Sequence, residues 1–334
     1  MSQIKTMKEL ADLAGVTTGT VSRALSDSPL ISPKTRERVQ ALAREHGFRP
    51  NLLARNLRTQ RTGAIGVLIP LGHEKGQHIS DPFFITLLGF LADELTERGY
   101  DLLLSRVIPE DDSWLDQHIG SGKTDGILVI GQSDQSATLD NVAARYRPMV
   151  VWGGHTDGQA HCTVGSDNVR GGELAAQHLI ARGCERIAFF GDPHALEIAQ
   201  RLEGCQRALA QAGLSDKLTV LPAHLVAEAA HPDIAGFLGS ARERPQGIFA
   251  ASDVIAMSAL RALSEYGLAV PGDVKVIGYD GLAIGEQTVP RLTSVSQDLR
   301  AGAAAMVDLL LRRIAGEDTG SVILKPELIV RMSA

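Results

Sequence analysis

The sequence predicts an α/β protein: a small helical N-terminal head followed by a two-lobed body of doubly wound parallel sheets. Three observations predict it. The chain has 334 residues, more than one ordinary core accommodates, which points to two or three domains. The first sixty or so residues show helical apolar periodicity, with Gly, Thr, Ser and Pro at the helix boundaries. From Gly63 onward, short continuous apolar runs alternate with amphipathic stretches, and that series occurs twice.

In the head, Met7, Leu10, Ala11 and Ala14 fall at i, i+3, i+4 and i+7 and make one apolar helical face. Gly15 suits the left-handed conformation that stops a helix, and the Thr17 hydroxyl suits capping the next one. That second helix, Thr18–Leu25, turns Val21, Ala24 and Leu25 inward and leaves Thr18, Thr20, Ser22 and Arg23 largely outward. Two short helices joined by a Gly-containing turn read as a helix-turn-helix, whose second helix lies in the major groove of DNA. Ser32 as cap, Pro33 at the first position and Gly47 as stop mark a third helix, with Val39, Leu42 and Ala43 closing the core. Charge agrees: residues 1–62 carry 11 Lys/Arg against 5 Asp/Glu, and the remainder 22 against 34. A basic head on an acidic body fits a polyanion-binding module.

In the body, strands are predicted at AIGVLIP (64–70), YDLLLSRV (100–107), DGILVIG (125–131) and RPMVVWGG (147–154). The second series is ERIAFFGD (185–192), LTVLPA (218–223), QGIFAAS (246–252), VKVIGYD (274–280) and LTSVSQD (292–298). Helices such as FFITLLGFLADELTERG (83–99), VRGGELAAQHLIARG and AMSALRALSEYGL separate them, and EQTVPRLTSVSQD reads as a connection between lobes running into a strand. Open sheets of this kind bind ligands at the carboxyl ends of their strands. Residues near them suit a hydroxyl-rich ligand: the polar Asp81, Ser166, Asp167, Arg201, Ser252, Asp253 and Asp280, and the aromatic Phe84. Carboxylates and arginine make paired hydrogen bonds to neighbouring hydroxyls, while an aromatic face covers a ring. Trp152 and Gln132 also end strands, where core packing explains them equally well.

No apolar run approaches the roughly 18–20 residues of a membrane helix, and the N-terminus lacks a signal's apolar core, so a cytoplasmic location and no membrane partner are expected. Cys162, Cys184 and Cys205 show no CxxC spacing and read as free buried thiols. No glycine-rich nucleotide loop, GxSxG elbow or HExxH motif is present, and the scattered histidines read as solvated loop residues. No enzyme activity, cofactor or metal is therefore expected.

The run ADLAGVTTGTVSRAL…ISPKTRERVQALAREHGFRPNLLARNLRTQRTGAIGVLIP resembles the head and hinge of the lac repressor family, and the resemblance continues through the chain. It implies a helix-turn-helix head at 1–48, a hinge helix and linker at 49–62, and a two-lobed, periplasmic-binding-protein-like effector and dimerisation domain at 63–334. The function implied is a transcriptional regulator, a repressor, binding operator DNA. Recognition-helix positions one, two and six, here Thr18, Gly19 and Arg23, would read bases, Arg23 by a bidentate bond to guanine. Gly19 departs from the pattern, because a larger side chain often stands there. Thr17, Thr20, Ser22 and Asn51 would meet phosphates. In the hinge, Asn51 would start the helix, Ala54 face the minor groove, Leu57 wedge between base pairs and Arg58 lie beside it.

In the body, Arg201, Ser252 and Asp280 match sugar-bonding positions, with Ser252 standing where Asn is common. The implied effector is a sugar, with a purine or another metabolite as the alternative. A homodimer is implied, since each recognition helix reads one half-site and no leucine heptads follow ELIVRMSA. Effector binding between the lobes would shift the hinge and with it operator affinity. A cytoplasmic sugar-binding module would have no use for the head, and a sugar enzyme would need a nucleophile–base pair that the sequence does not offer.

Overall fold

The computed structural model describes residues 4, 6–48, 61–72, 76–132, 134–241 and 243–334, so Asn51, Ala54, Leu57, Arg58 and His73 lie outside the described residues. The chain divides into two compact units, Met1–Arg61 and Thr62–Ala334.

The first unit contains helices α1 (Met7–Ala14), α2 (Thr18–Leu25) and α3 (Pro33–Glu45). Their ends follow from local chemistry. Gly15 takes φ +62° and closes α1, while the Thr17 and Ser32 hydroxyls accept from the N–H groups of Thr20 and Thr35. Leu10, Ala11, Val21, Ala24, Val39 and Ala43 close the core under Phe48.

The second unit is built on two six-stranded sheets. The first contains β1 (Ala64–Pro70), β2 (Asp101–Val107), β3 (Gly126–Ile130), β4 (Met149–Trp152), β5 (Thr163–Ser166) and β11 (Val322–Leu324) in the order β11-β5-β4-β3-β1-β2. The second contains β6 (Ile187–Phe190), β7 (Leu218–Leu221), β8 (Gly247–Ala250), β9 (Lys275–Asp280), β10 (Thr293–Ser296) and β12 (Glu327–Ile329) in the order β12-β10-β9-β8-β6-β7. Central strands such as β3 and β8 are buried along their whole length, as expected of sheets covered on both faces. In each sheet the winding reverses beside the first strand, between β1 and β3 and between β6 and β8. These are the switch points at which open sheets form crevices.

Helices α4 (Pro82–Glu97), α5 (Trp114–Gly120) and α6 (Ser136–Ala143) follow strands of the first sheet. Helices α7 (Asn168–Ala181), α8 (Leu196–Gln211), α9 (Ala227–Ser240) and α10 (Asp253–Glu265) belong to the second lobe. Helix α11 (Leu299–Ile314) returns to pack on α4 and β4 of the first. The chain therefore passes between lobes three times: after β5, after β10, and between β11 and β12.

β5, β11 and β12 are not among the strands expected from the sequence, nor is the second sheet parallel throughout as expected. β5 is only four residues long, TVGS, and β11 and β12 are three-residue segments that remain partly exposed. β12 pairs antiparallel with β10, so the second sheet is mixed at that edge. Cys162, Cys184 and Cys205 are free, buried thiols.

Candidate functional site

Between the lobes, at both switch points, lies a cleft enclosing about 730 Å³ of empty space, part of it open to solvent. The first lobe contributes Asp81 and Phe84 from the start of α4, with Trp152 from the end of β4. The second contributes Arg201 from α8, Ser252 at the start of α10 and Asp280 from the end of β9.

Arg201 is the anchor of the polar floor. Its Nε donates to Asn168 Oδ1 at 2.9 Å and its Nη1 to the Ala251 carbonyl at 2.6 Å. The guanidinium lies 3.8 Å from the centre of the Tyr279 ring, and Nη1 is 3.9 Å from Asp280 Oδ1. Two close approaches at one helix crossing put it there. A Cβ on Gly172 would lie 2.0 Å from the Arg201 carbonyl oxygen, and one on Gly204 would lie 1.9 Å from that of Val169. Helices α7 and α8 thus meet backbone to backbone, which brings Arg201 within reach of Asn168.

Asp280 ends β9 with φ +116°, a conformation rare outside glycine. Its Oδ1 accepts from Gln297 Nε2 at 2.7 Å, and the Gln297 oxygen accepts from Ser166 Oγ at 2.9 Å. Residues at two of the interlobe crossings are therefore hydrogen-bonded to the cleft floor. Burial pushes the Asp280 carboxyl up; Arg201 opposes this, and the neighbouring Asp253 adds to it. Burial likewise raises Asp253, against hydrogen bonds from the Ser294 hydroxyl and the Leu282 N–H. Each carboxyl binds its proton more readily in the folded chain than in the unfolded one. The fold thus loses stability as pH rises from the ordinary carboxylate range, near 3.8, toward neutrality. Asp253→Asn is expected to flatten that fall. Urea midpoints measured between pH 5 and pH 7.5 test it, and a slope identical to the wild type would exclude this origin.

On the opposite wall, Asp81 caps α4 through the Phe83 N–H at 2.9 Å and accepts from Gln77 Nε2 at 3.1 Å. Burial raises its carboxyl too, partly offset by these bonds. Phe83 stacks edge-on against Phe84 at 5.6 Å and tilts toward Trp152 at 6.3 Å, forming an aromatic wall.

Of the effector residues expected from sequence, Asp81, Phe84, Arg201, Ser252 and Asp280 line the cleft. Ser166, Asp167 and Asp253 do not, and their side chains serve protein partners. Ser166 bonds Gln297 and Tyr279, Asp167 caps α7 through the Arg170 N–H, and Asp253 holds Ser294 and Leu282. Glu197, Gln77 and Gln297 line the cleft and were missed. Glu197 reaches across it, accepting from the Gly154 N–H at 2.9 Å. Gln297 directly follows β10 and carries the strand-end signal that marked the others, whereas Gln77 and Glu197 lie away from any strand end. Against the expectation of solvated histidines, His161 is buried between Asp140 at 2.6 Å and Gln132 at 2.8 Å.

In the head, Thr17, Thr18 and Arg23 are exposed on α2, and Gly19, Thr20 and Ser22 are half-buried. Arg23 folds back over the bare Gly19, its Nε donating to the Gly19 carbonyl at 3.2 Å.

Residues 6–51 match the model of bacterial regulatory proteins of the lacI family, and residues 176–334 that of a periplasmic binding protein-like domain. The transcriptional regulator CelR of Thermobifida fusca is 33% identical over 340 residues, covering 98% of each chain. The chain belongs to the lacI family. The transcriptional repressor PurR of Haemophilus influenzae is another relative, 30% identical over 345 residues with 98% of each chain covered. A solved complex of CelR with cellobiose has 30% identity and a TM-score of 0.71, covering 98% of this chain and 99% of that one. As a lacI-family member the chain is a DNA-binding transcriptional regulator and not an enzyme. No helix among the described residues is long and apolar enough to cross a membrane.

Proposed function

We propose that this regulator is a sugar-responsive repressor acting in the cytoplasm as a homodimer. The observation that supports the effector class most directly is the cleft itself, where Arg201 and Asp280 face an aromatic wall of Phe84 and Trp152. Arg201 is held by Asn168 and the Ala251 carbonyl while lining the cleft, so its guanidinium is fixed before a ligand arrives. A planar donor, carboxyl acceptors and an apolar ring platform are the groups that a neutral sugar's hydroxyls and faces need. The relative CelR, solved with cellobiose, supports the same class.

In this reading the effector bridges the lobes, stabilises one lobe orientation and shifts the hinge segment at 51–59. Operator affinity then changes by a coupling energy of about 1–3 kcal/mol. A thermal-shift screen of the purified chain against cellobiose, other mono- and disaccharides and free nucleobases tests it. A rise with sugars alone is expected; a rise with nucleobases alone would replace the effector class.

For the head, base reading is assigned to Thr18, Gly19 and Arg23, and phosphate contacts to Thr17, Thr20, Ser22 and Asn51. Ala54, Leu57 and Arg58 are assigned to the minor groove. Arg23→Ala is expected to weaken the preferred duplex by roughly 1–3 kcal/mol and to relax discrimination at one base pair. Competition binding with single-base variants of that duplex measures this, and uniform weakening across all of them would make Arg23 a phosphate contact.

A further inference from the structure

Where the chain enters the body, one carboxylate holds it. Asp125, immediately before β3, accepts from the Thr62 N–H at 2.5 Å, the Thr62 hydroxyl at 2.9 Å and the Gly63 N–H at 3.0 Å. Its own N–H donates to the Ala64 carbonyl at 2.8 Å, and the Thr62 hydroxyl oxygen accepts from the Ala64 N–H at 3.2 Å. From the other side the Asp101 N–H donates to the Gly63 carbonyl at 2.8 Å. Gly63, at φ +73°, turns the chain out of this clamp and into β1. A Cβ there would meet nothing within 4 Å, so the requirement is conformational.

Strand β1 does not need the clamp to form. It already pairs with β2 from Ala64 to Pro70 and with β3 from Ile65 to Leu68. The added bonds act on the two residues just before it, at the end covalently joined to the head. Bonds to an ionised carboxylate are stronger than those between neutral groups, and these are half-buried, where water competes less. Residue 62 must therefore move with the middle of the first sheet.

We infer that Asp125 is a positioning residue for DNA binding: it removes slack at residues 61–63, so that the body fixes where the connection to the head begins. A lobe movement can bias a distant element only through parts that hold discrete positions. Without the clamp, the same movement would dissipate in backbone rotation at Thr62 and Gly63. This inference rests on the DNA-binding function of the family.

The test uses the full chain, a duplex enriched by the wild type from random DNA, and a random-sequence duplex as reference. Fluorescence anisotropy gives both affinities, and calorimetry gives the melting transition. Asp125→Ala is expected to lower the ratio of selected to random affinity by roughly tenfold, a typical coupling magnitude. Affinity for random DNA should stay near wild type, while the melting temperature falls modestly because three donors lose their acceptor. Thr62→Val, which removes only the hydroxyl bonds, should lower the ratio less, with Asp125→Asn between the two. If Asp125→Ala fails to fold, the other two variants keep the test. A wild-type ratio in all three overturns the inference, as does an equal loss on both duplexes. A wild type that enriches no duplex overturns the regulator reading and this inference together.

Discussion

Arg201→Ala should abolish the thermal shift given by whichever sugar stabilises the wild type, and should itself lower the melting temperature of the body. The side chain is buried and serves Asn168, the Ala251 carbonyl, the Tyr279 face and Asp280 together. Its removal strips donors from two buried acceptors, each costing about 1–3 kcal/mol. It also leaves the Asp280 carboxyl without its cation, a loss that for buried pairs runs to about 3–5 kcal/mol. Because burial already raises the Asp280 carboxyl, that group can take up a proton, so the lower end of the range is expected. Arg201→Lys keeps the charge but not the fork, and should weaken the sugar at least about tenfold. Calorimetry with and without the sugar separates the two effects. Retention of the full ligand-induced shift in Arg201→Ala would remove Arg201 from the site.

Gly204→Ala is the second large effect. In an exposed helix this exchange is favourable by about 1 kcal/mol, since alanine is the better helix former. Here the new methyl would sit 1.9 Å from the Val169 carbonyl oxygen, and that obstacle is backbone rather than a side chain that can swing aside. Helices α7 and α8 must separate, and overpacking of this kind costs about 3 kcal/mol or more. Effector affinity should fall as well, because the same crossing brings Arg201 to Asn168. Gly236, exposed in α9 with nothing within 4 Å of an added Cβ, is the control: Gly236→Ala should be neutral or stabilising. Denaturant midpoints for the pair decide the matter. Similar values for both would mean that the close crossing has no energetic weight.

Much of this architecture was legible beforehand, for identifiable reasons. Helix boundaries in the head are written in single residues, and Gly15, Thr17, Ser32 and Pro33 act where their chemistry says they should. Central strands announce themselves by continuous apolar runs such as GILVI. Strand-end positions and the family resemblance together brought five of the eight effector candidates to one cleft. What stayed hidden is relational. Ser166 and Asp253 look like ligand groups until their partners Gln297 and Ser294 are seen beside them. Glu197 sits in the first turn of a helix, where an acidic residue needs no special explanation. The role of Gly172 and Gly204 exists only in the crossing of two helices, which no local pattern encodes. The short strands β11 and β12 depend on neighbours laid down far earlier in the chain.

That last dependence bears on how the protein comes into being. Residues 322–324 complete the edge of a sheet begun at residue 64, and residues 327–329 complete the other. Ser333 adds buried bonds to the Val276 carbonyl and the Thr293 N–H. A chain emerging from the ribosome therefore cannot finish its first lobe and then its second, as beads on a string would. Both must wait for the same closing segment, holding unpaired strand edges in the meantime. Contacts this distant in sequence are slow to form, so the growing chain is most exposed to misassociation just before residues 322–333 appear.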